Sequence, residues 1–279
     1  MPELPEVETV ARQLRPDLAG RRIASVELLD AKLDHLPVAE LAGQVIRGVE
    51  RVGKWVVLAL ARPRRAERYL AVHLRMTGRL IYRAEPDAAH DQRHLRARFV
   101  LDRGALLFYD ARRFGLVELH EDRSTLRTGG VDPLQDRFTP EVLGGLLQGS
   151  RQELKTWLLR QDRLVGLGNI YASEALYRAR LDPARSAGSL DAGETRRLHR
   201  AVSEVLTAAV KHCGTTFSDF QDSRGEVGGY QRYLAVYARE GEPCRRCRTA
   251  IVRVTQQQRS TFYCPGCQRQ GDRRHFGSR

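Results

Sequence analysis

Four cysteines constrain this chain more than any other feature. Cys244 and Cys247 form one C-x2-C pair and Cys264 and Cys267 a second, with 16 residues between the pairs. That spacing suits a four-thiolate zinc site in which each pair rides its own tight turn. Two disulfides would satisfy the same count. The acidic N-terminus, however, has no apolar stretch of a secretory signal, which places the chain in the cytoplasm, where disulfides are rare. One structural Zn2+ is therefore expected, with no open position for water. Cys213 stands apart, near the end of a predicted helix, and reads as a small buried apolar residue.

The charge points to a polyanion. The 279 residues carry a net +13. From Val227 to Arg279 there are eleven Arg, no Lys and three acids, so the cysteine-bearing end holds most of the excess. A solvated surface does not need such segregation, and nucleic acid is favoured over membrane. The apolar run at 56–61 is far shorter than the roughly 18 residues of a membrane span. Only Lys32, Lys54, Lys155 and Lys211 are lysine, against 43 Arg. Each lysine thus marks a place where a compact ammonium differs from a guanidinium.

The apolar pattern changes twice along the chain. Residues 3–18 predict a helix with Pro2 at its first position and Val7, Val10, Ala11, Leu14 and Leu18 on one face. From about 22 to 120, short runs such as RIASVELL, KWVVLALA and ALLFYD alternate with turns, as in a β-sandwich or barrel. Residues 121–137 read as a linker. Helices are predicted at about 140–148, 152–162, 170–180 and 191–212, with Asn169 capping the third and Gly214 ending the fourth. AIVRVT and TFYC supply strand-like pieces between the cysteine pairs. The expected fold is a multidomain α+β one. It has a β-sandwich with flanking helices over 1–133, a helical domain over 134–225, and a loop plus zinc-finger hairpin over 226–279.

The opening MPELPEVETV carries two readings. Carboxylates and proline in a first turn favour the helix dipole and need no further purpose. If Met1 is removed, Pro2 becomes a terminal secondary amine, partly neutral near pH 7. Such an amine attacks a sugar carbon to give an iminium, a cation that draws electrons from neighbouring bonds. Glu3 and Glu6, beside it, suit proton transfer.

Six stretches, in order, resemble the Fpg/Nei family of DNA-repair glycosylases. These are MPELPEVETV, RVGKWVVLAL, HLRMTGRL, YDARRFG, VGLGNIYASEAL, and VYAREGEPCRRC with QQRSTFYCPGCQ. The leucine of PELPE favours the Fpg branch. The resemblance implies a helix–two-turns–helix element in the middle domain and a zinc finger at the end. It implies Pro2 as nucleophile at C1′ of the damaged nucleotide, Glu3 as acid–base partner and Glu6 as its support. Lys54 would contact the backbone beside the lesion and assist catalysis.

Met76, Arg112 and Phe114 would fill the gap left by a flipped nucleotide, Arg112 offering donors to the orphaned base. Taken alone, Met76 and Phe114 read as core and Arg112 as surface. His73, Asn169 and Arg259 would hold phosphates, with Arg259 also in the catalytic set and Arg253 a companion. Asn169 also has its helix N-terminus in favour of an anion. Lys155 would handle the damaged base, and His94 and Tyr230 join the DNA contacts, Tyr230 from a lesion-covering loop at 218–233. Ala111 stands where the family has proline and Ala238 where it has glycine, and Gly130-Val131-Asp132-Pro133 departs from its linker.

The implied activity is that of a monomeric bifunctional glycosylase and abasic-site lyase. It would remove oxidised purines from duplex DNA, held in a cleft between the β domain and the rest. The alternatives are a relative acting on oxidised pyrimidines, a non-catalytic damage-binding protein and a zinc-finger regulator. The last lacks a recognition helix beside the finger.

Overall fold

The computed structural model describes residues 1–61, 66–85, 92–126, 128–217 and 220–269. Ser218 and Asp219 of the expected lesion loop, and the last ten residues with their three arginines, lie outside the described residues.

Eight antiparallel strands occupy the eight predicted apolar runs. β1 (Ile23–Leu28), β5 (Gly78–Arg83), β6 (Leu95–Leu101) and β7 (Ala105–Asp110) form one sheet, in the order β1-β6-β7-β5. β2 (Val45–Val52), β3 (Trp55–Ala61), β4 (Arg68–His73) and β8 (Leu116–His120) form the other, in the order β2-β3-β4-β8. Strict alternation of burial along β6 is that of a strand with one face covered. β7 is buried at every position. Its Leu106 and Phe108 join the main core, while Ala105, Leu107 and Tyr109 join a second cluster behind it.

That main core lies between the sheets. Ile46, Val56, Leu58 and Val72 of one sheet meet Phe99, Leu106 and Phe108 of the other. Val7, Val10, Ala11, Leu14 and Leu18 of α1 (Leu4–Leu18) complete the cluster, the face foreseen from their spacing. The start of α1 differs from expectation. Pro2 lies outside the helix, Glu3 is its N-cap in extended conformation (φ −103°, ψ −169°), and Pro5 takes the proline place in the first turn. The reason is a capping box, in which the Glu6 carboxylate accepts the Glu3 N–H at 2.7 Å.

The helical region contains α3 (Pro140–Leu147), α4 (Leu154–Leu158), α5 (Asn169–Ala179) and α6 (Ala192–Lys211); α2 is a single turn at Val38–Leu41. α4 is half the length expected, because Leu159 closes it, its N–H donating to the Lys155 and Trp157 carbonyls. Gly168, not Asn169, is the N-cap of α5. β9 (Val252–Gln256) and β10 (Arg259–Tyr263) form the finger hairpin.

The chain makes two compact units, Met1–Thr128 with Ala209–Gln231, and Gly129–Ala208 with Arg232–Arg279. The first unit is therefore not continuous in sequence. Among the described residues no helix is long and apolar enough to cross a membrane.

Candidate active site and nucleic-acid contacts

In the first unit the chain end is tied down by a carboxylate. Pro2, Glu3 and Glu6 are all buried, while Met1 remains half exposed. With Met1 attached, the Pro2 nitrogen is an amide and carries no reactivity. Besides the Glu3 N–H, Glu6 accepts the Thr215 N–H at 2.7 Å. Both of its oxygens thus serve to fix the backbone. Gly214 (φ +76°) permits this approach, since a Cβ there would stand 2.7 Å from the Glu6 carboxylate.

Lys54 sits at the tip of the β2–β3 hairpin. The turn has two residues, Gly53 and Lys54, between the paired Val52 and Trp55, and Gly53 (φ +60°) supplies the left-handed position such a turn needs. Arg51 connects this tip to α1. Its guanidinium donates to Glu8 at 2.7 Å and to the Gly53 carbonyl at 2.9 Å. Burial pushes the Glu8 carboxyl up, but Arg12 and Arg51 outweigh it and hold the group below its ordinary range.

His73 pairs with Trp55 across the β3–β4 ladder, ring to ring at 4.9 Å edge-on. Burial, then the charges of Arg75 and Lys54, lower its pKa to about 4. Its Nδ1 accepts the Arg75 N–H at 3.0 Å, which assigns the proton to Nε2. His73 is therefore a neutral donor near pH 7. Any phosphate it holds is held by one N–H rather than by a cation.

The expected intercalating residues come together on two loops. Met76 is 42% and Phe114 48% exposed, which removes the reading that they are core. Arg112 lies between them, its guanidinium 3.3 Å from the Met76 sulfur and 4.7 Å from the centre of the Phe114 ring. Asp110 organises the loop from within. It is 1% exposed and accepts from the Thr77 hydroxyl, the Arg112 N–H (3.2 Å) and the Gly115 N–H (2.6 Å). Arg113 takes φ +58°, a conformation uncommon for a side chain of this size. It is held by Asp30, to which its guanidinium donates at 2.7 and 2.5 Å. A pocket of about 620 Å³ beside these residues is lined by Lys32, His35, Arg75, Met76, Arg113 and Phe114 among others.

Two expected contacts do not stand as free groups here. Tyr230 is 7% exposed, with its ring centre 6.3 Å from that of His212. Its buried ring packs within the unit. Among the described residues of the loop at 218–233, Val227 and Tyr233 are exposed, at 64% and 47%, and Phe217 just before it at 52%. His94 (φ +69°) is half-buried, and its carbonyl accepts the Asp110 N–H at 2.9 Å, so it supports the base of the Arg112 loop.

In the second unit, Lys155 and Asn169 converge on one carbonyl. Lys155 is 0% exposed, and its ammonium donates to the Ser260 carbonyl (2.9 Å) and the Thr261 hydroxyl (2.8 Å). The Asn169 amide donates to the same Ser260 carbonyl at 2.9 Å. Burial of an ammonium is tolerated only with such partners. Lys155 is thus a strut behind β10 rather than a group presented to a base. The residue they place is Arg259, exposed at the start of β10, whose guanidinium has no partner among the described residues. The hairpin turn beside it puts two non-glycine residues, Gln257 (φ 43°) and Gln258 (φ 61°), in the left-handed region. Arg253 is engaged with Ser260 at 3.0 Å.

The four cysteine sulfurs all lie within 4.8 Å of one another, with separations of 3.8 Å (Cys244–Cys267) and 3.4 Å (Cys247–Cys264). A tetrahedral ZnS4 centre with bonds of about 2.3 Å has edges of about 3.8 Å, so the cluster fits one zinc ion. Tyr177 and the Arg246 N–H approach the Cys244 sulfur at 3.3 and 3.4 Å and would orient it. The cysteines share a small core with Tyr177, Val236, Ile251 and Phe262. Glu174 braces the approach to the finger. Its buried carboxylate accepts the N–H groups of Ala235, Val236 and Tyr237 at 2.8–2.9 Å. Burial nonetheless pushes its pKa up.

Sequence reasoning passed over Asp30, Arg51, Asp110 and Glu174. Asp110 carried a local signal, a short carboxylate just before a turn. Asp30 carried a local cap signal, but none for its partner Arg113, 83 residues away.

Comparison with known proteins agrees with this geometry. The family model for the formamidopyrimidine-DNA glycosylase N-terminal domain matches residues 1–117, that for its H2TH domain residues 130–221, and a zinc finger found in FPG and IleRS residues 241–270. The chain is 44% identical over 279 residues to a formamidopyrimidine-DNA glycosylase of Symbiobacterium thermophilum, covering 96% of this chain and 89% of that one. Among solved structures it is similar to the MutM (Fpg) protein of Thermus thermophilus, with TM-score 0.84 and 40% identity over 97% of this chain and all of that one. It is also similar to a Lactococcus lactis Fpg mutant in complex with DNA containing Fapy-dG, with TM-score 0.87 and 31% identity over 96% of this chain and all of that one.

Proposed function

Because the chain belongs to the formamidopyrimidine-DNA glycosylase family, we propose that it excises oxidised purines, such as 8-oxoguanine and formamidopyrimidines, from duplex DNA and then cuts the strand. The observation that carries this reading is the wedge. Met76, Arg112 and Phe114 stand exposed and in mutual contact on a pinned loop. A Met, an Arg and a Phe exposed together on a pinned loop suit insertion between stacked bases.

In the proposed reaction the wedge occupies the gap left by the flipped nucleotide. The Pro2 amine, freed of Met1, forms a bond to C1′ as the glycosidic bond breaks and the base leaves with its electron pair and a proton. Glu3 protonates the sugar ring oxygen as the ring opens to the iminium. Loss of a C2′ proton expels the 3′ phosphate, and a second elimination expels the 5′ phosphate. Hydrolysis of the iminium returns the free amine. Glu6 keeps the chain end in place, and Lys54, His73, Asn169 and Arg259 engage the backbone. Zinc, when bound, supplies structure only, because four thiolates fill its coordination.

We divide the chain by role into a catalytic part (1–133), a helix–two-turns–helix DNA-binding part (134–225) and a lesion-loop and finger part (226–279). It works as a monomer in the cytoplasm. The test is borohydride trapping on duplex containing 8-oxoguanine opposite cytosine. A covalent adduct mapping to Pro2, together with strand scission, is expected. Tight binding with neither adduct nor scission would reduce the protein to a damage binder, and preferential trapping on an oxidised pyrimidine would move the substrate class.

A further inference from the structure

We infer that Asp30 and Lys32 are positioning residues that pre-form the Arg112–Phe114 wedge and thereby set discrimination of the base opposite the lesion. The inference rests on the wedge role proposed above.

Both residues belong to a short 3-10 turn after β1, far in sequence from the wedge. Asp30 is 8% exposed, and its two oxygens take the fork of Arg113 at 2.5 and 2.7 Å. Arg96 stands 3.6 Å away on the same carboxylate. The Lys32 N–H donates back to Asp30 at 3.1 Å, and the Lys32 ammonium donates to the Arg113 carbonyl at 3.1 Å. Arg113 is thus gripped at both its side chain and its backbone, in the left-handed conformation that turns Arg112 and Phe114 out on either side of it.

The loop needs this grip for a reason written in its sequence. Ala111, at its entry, leaves φ free where a proline would lock it. Asp110 fixes the Arg112 and Gly115 amides but makes no bond to Arg113. Without Asp30 and Lys32, the residue between the two wedge side chains would relax from its sparsely populated conformation. Reading an orphaned base by a guanidinium is directional, so loss of pre-organisation falls on the choice between opposite bases before it falls on bond cleavage. A compact ammonium suits Lys32, since a carbonyl offers no fork for a guanidinium.

The experiment uses the full-length zinc-loaded protein. Asp30→Asn and Lys32→Met are compared with wild type for excision of 8-oxoguanine opposite cytosine and opposite adenine. A borohydride trap on a single-stranded abasic oligonucleotide, which needs no wedge, runs in parallel. For Asp30→Asn the cytosine-to-adenine ratio is expected to fall about tenfold, with single-strand trapping within about twofold of wild type. Adding Ala111→Pro, whose amide donates no hydrogen bond among the described residues, is expected to restore most of the ratio. An unchanged ratio in Asp30→Asn, or an equal loss in the single-strand trap, would overturn the inference while leaving the proposed function standing. Wild type that does not discriminate, and for which Met76→Ala and Phe114→Ala change nothing, would overturn the inference together with the wedge role it rests on.

Discussion

Arg112 and Arg259 are both exposed arginines borne on turns with left-handed residues beside them, yet the two turns are held by different means. The Arg112 loop stands at the rim of a core that spans two sheets and a helix. There it is enough for Asp110 and Asp30 to fix a few amides and one guanidinium. The Arg259 hairpin has only a small cluster beneath it, in which two of the buried members are cysteines. A core of that size cannot fix a hairpin unaided, and the thiolate cluster must do so. Polar pins suffice where packing already defines the backbone; where it does not, a metal takes its place.

Chelation of zinc should break the comparison most sharply. Structural zinc contributes about 10–16 kcal/mol in isolated fingers. Hydrogen-exchange protection across Val252–Tyr263 is expected to collapse while that of β6 and β7 persists. Equal loss in both would show that the finger is not separately held. Asp110→Ala comes next. Three donors lose a buried acceptor, at a cost of about 3 kcal/mol or more in chemical denaturation; a cost below about 1 kcal/mol would mean that packing, not Asp110, holds the loop.

The pH dependence of His73 is smaller but specific. Its folded pKa, about 4, lies below the ordinary 6.5. The neutral ring is thus favoured by the fold, with no penalty above pH 6.5 and a growing loss of stability as pH falls from there towards 4. A phosphate at Nε2 opposes that shift. Duplex binding at pH 5.5 is therefore expected to take up protons, up to about one, as seen by calorimetry in buffers of different ionisation enthalpy. His73→Gln should abolish the uptake, and an unchanged uptake would remove His73 from the phosphate contacts. The smallest effect is at Ala238, held at φ +59°. Ala238→Gly should stabilise the second unit by about 1 kcal/mol, and destabilisation instead would mean that the alanine methyl packs usefully.

Periodicity revealed the strands and the buried face of α1, because burial acts on every second residue of a strand and every third or fourth of a helix. Spacing revealed the metal cluster for a similar reason, since each cysteine pair is a local turn. What escaped was whatever depended on partners distant in sequence. The resemblance assigns Lys155 to the damaged base, while its ammonium donates to Ser260 and Thr261. It places Tyr230 among the DNA contacts, while its ring lies buried beside His212. Pro2 looked like the helix start because proline suits a first helical position, but the Glu3–Glu6 capping box makes Glu3 the N-cap and Pro5 the first-turn proline. Asp30 has a local role as N-cap of a short turn, but nothing nearby in sequence points to its partner Arg113 across the fold.

The detour in the chain bears on how the protein is made. Glu6 finds its second donor at Thr215, and Gln13 binds Asp222 and Ser223 at 2.8–3.1 Å. A ribosome must therefore deliver more than two hundred residues before the helix behind Pro2 is fully tethered. The nascent chain carries its Pro2 end from the first moments of synthesis, but that end is locked into position only when translation is nearly over. A fragment stopping at Thr128 would contain every strand of the sandwich and still leave Glu6 without the Thr215 N–H.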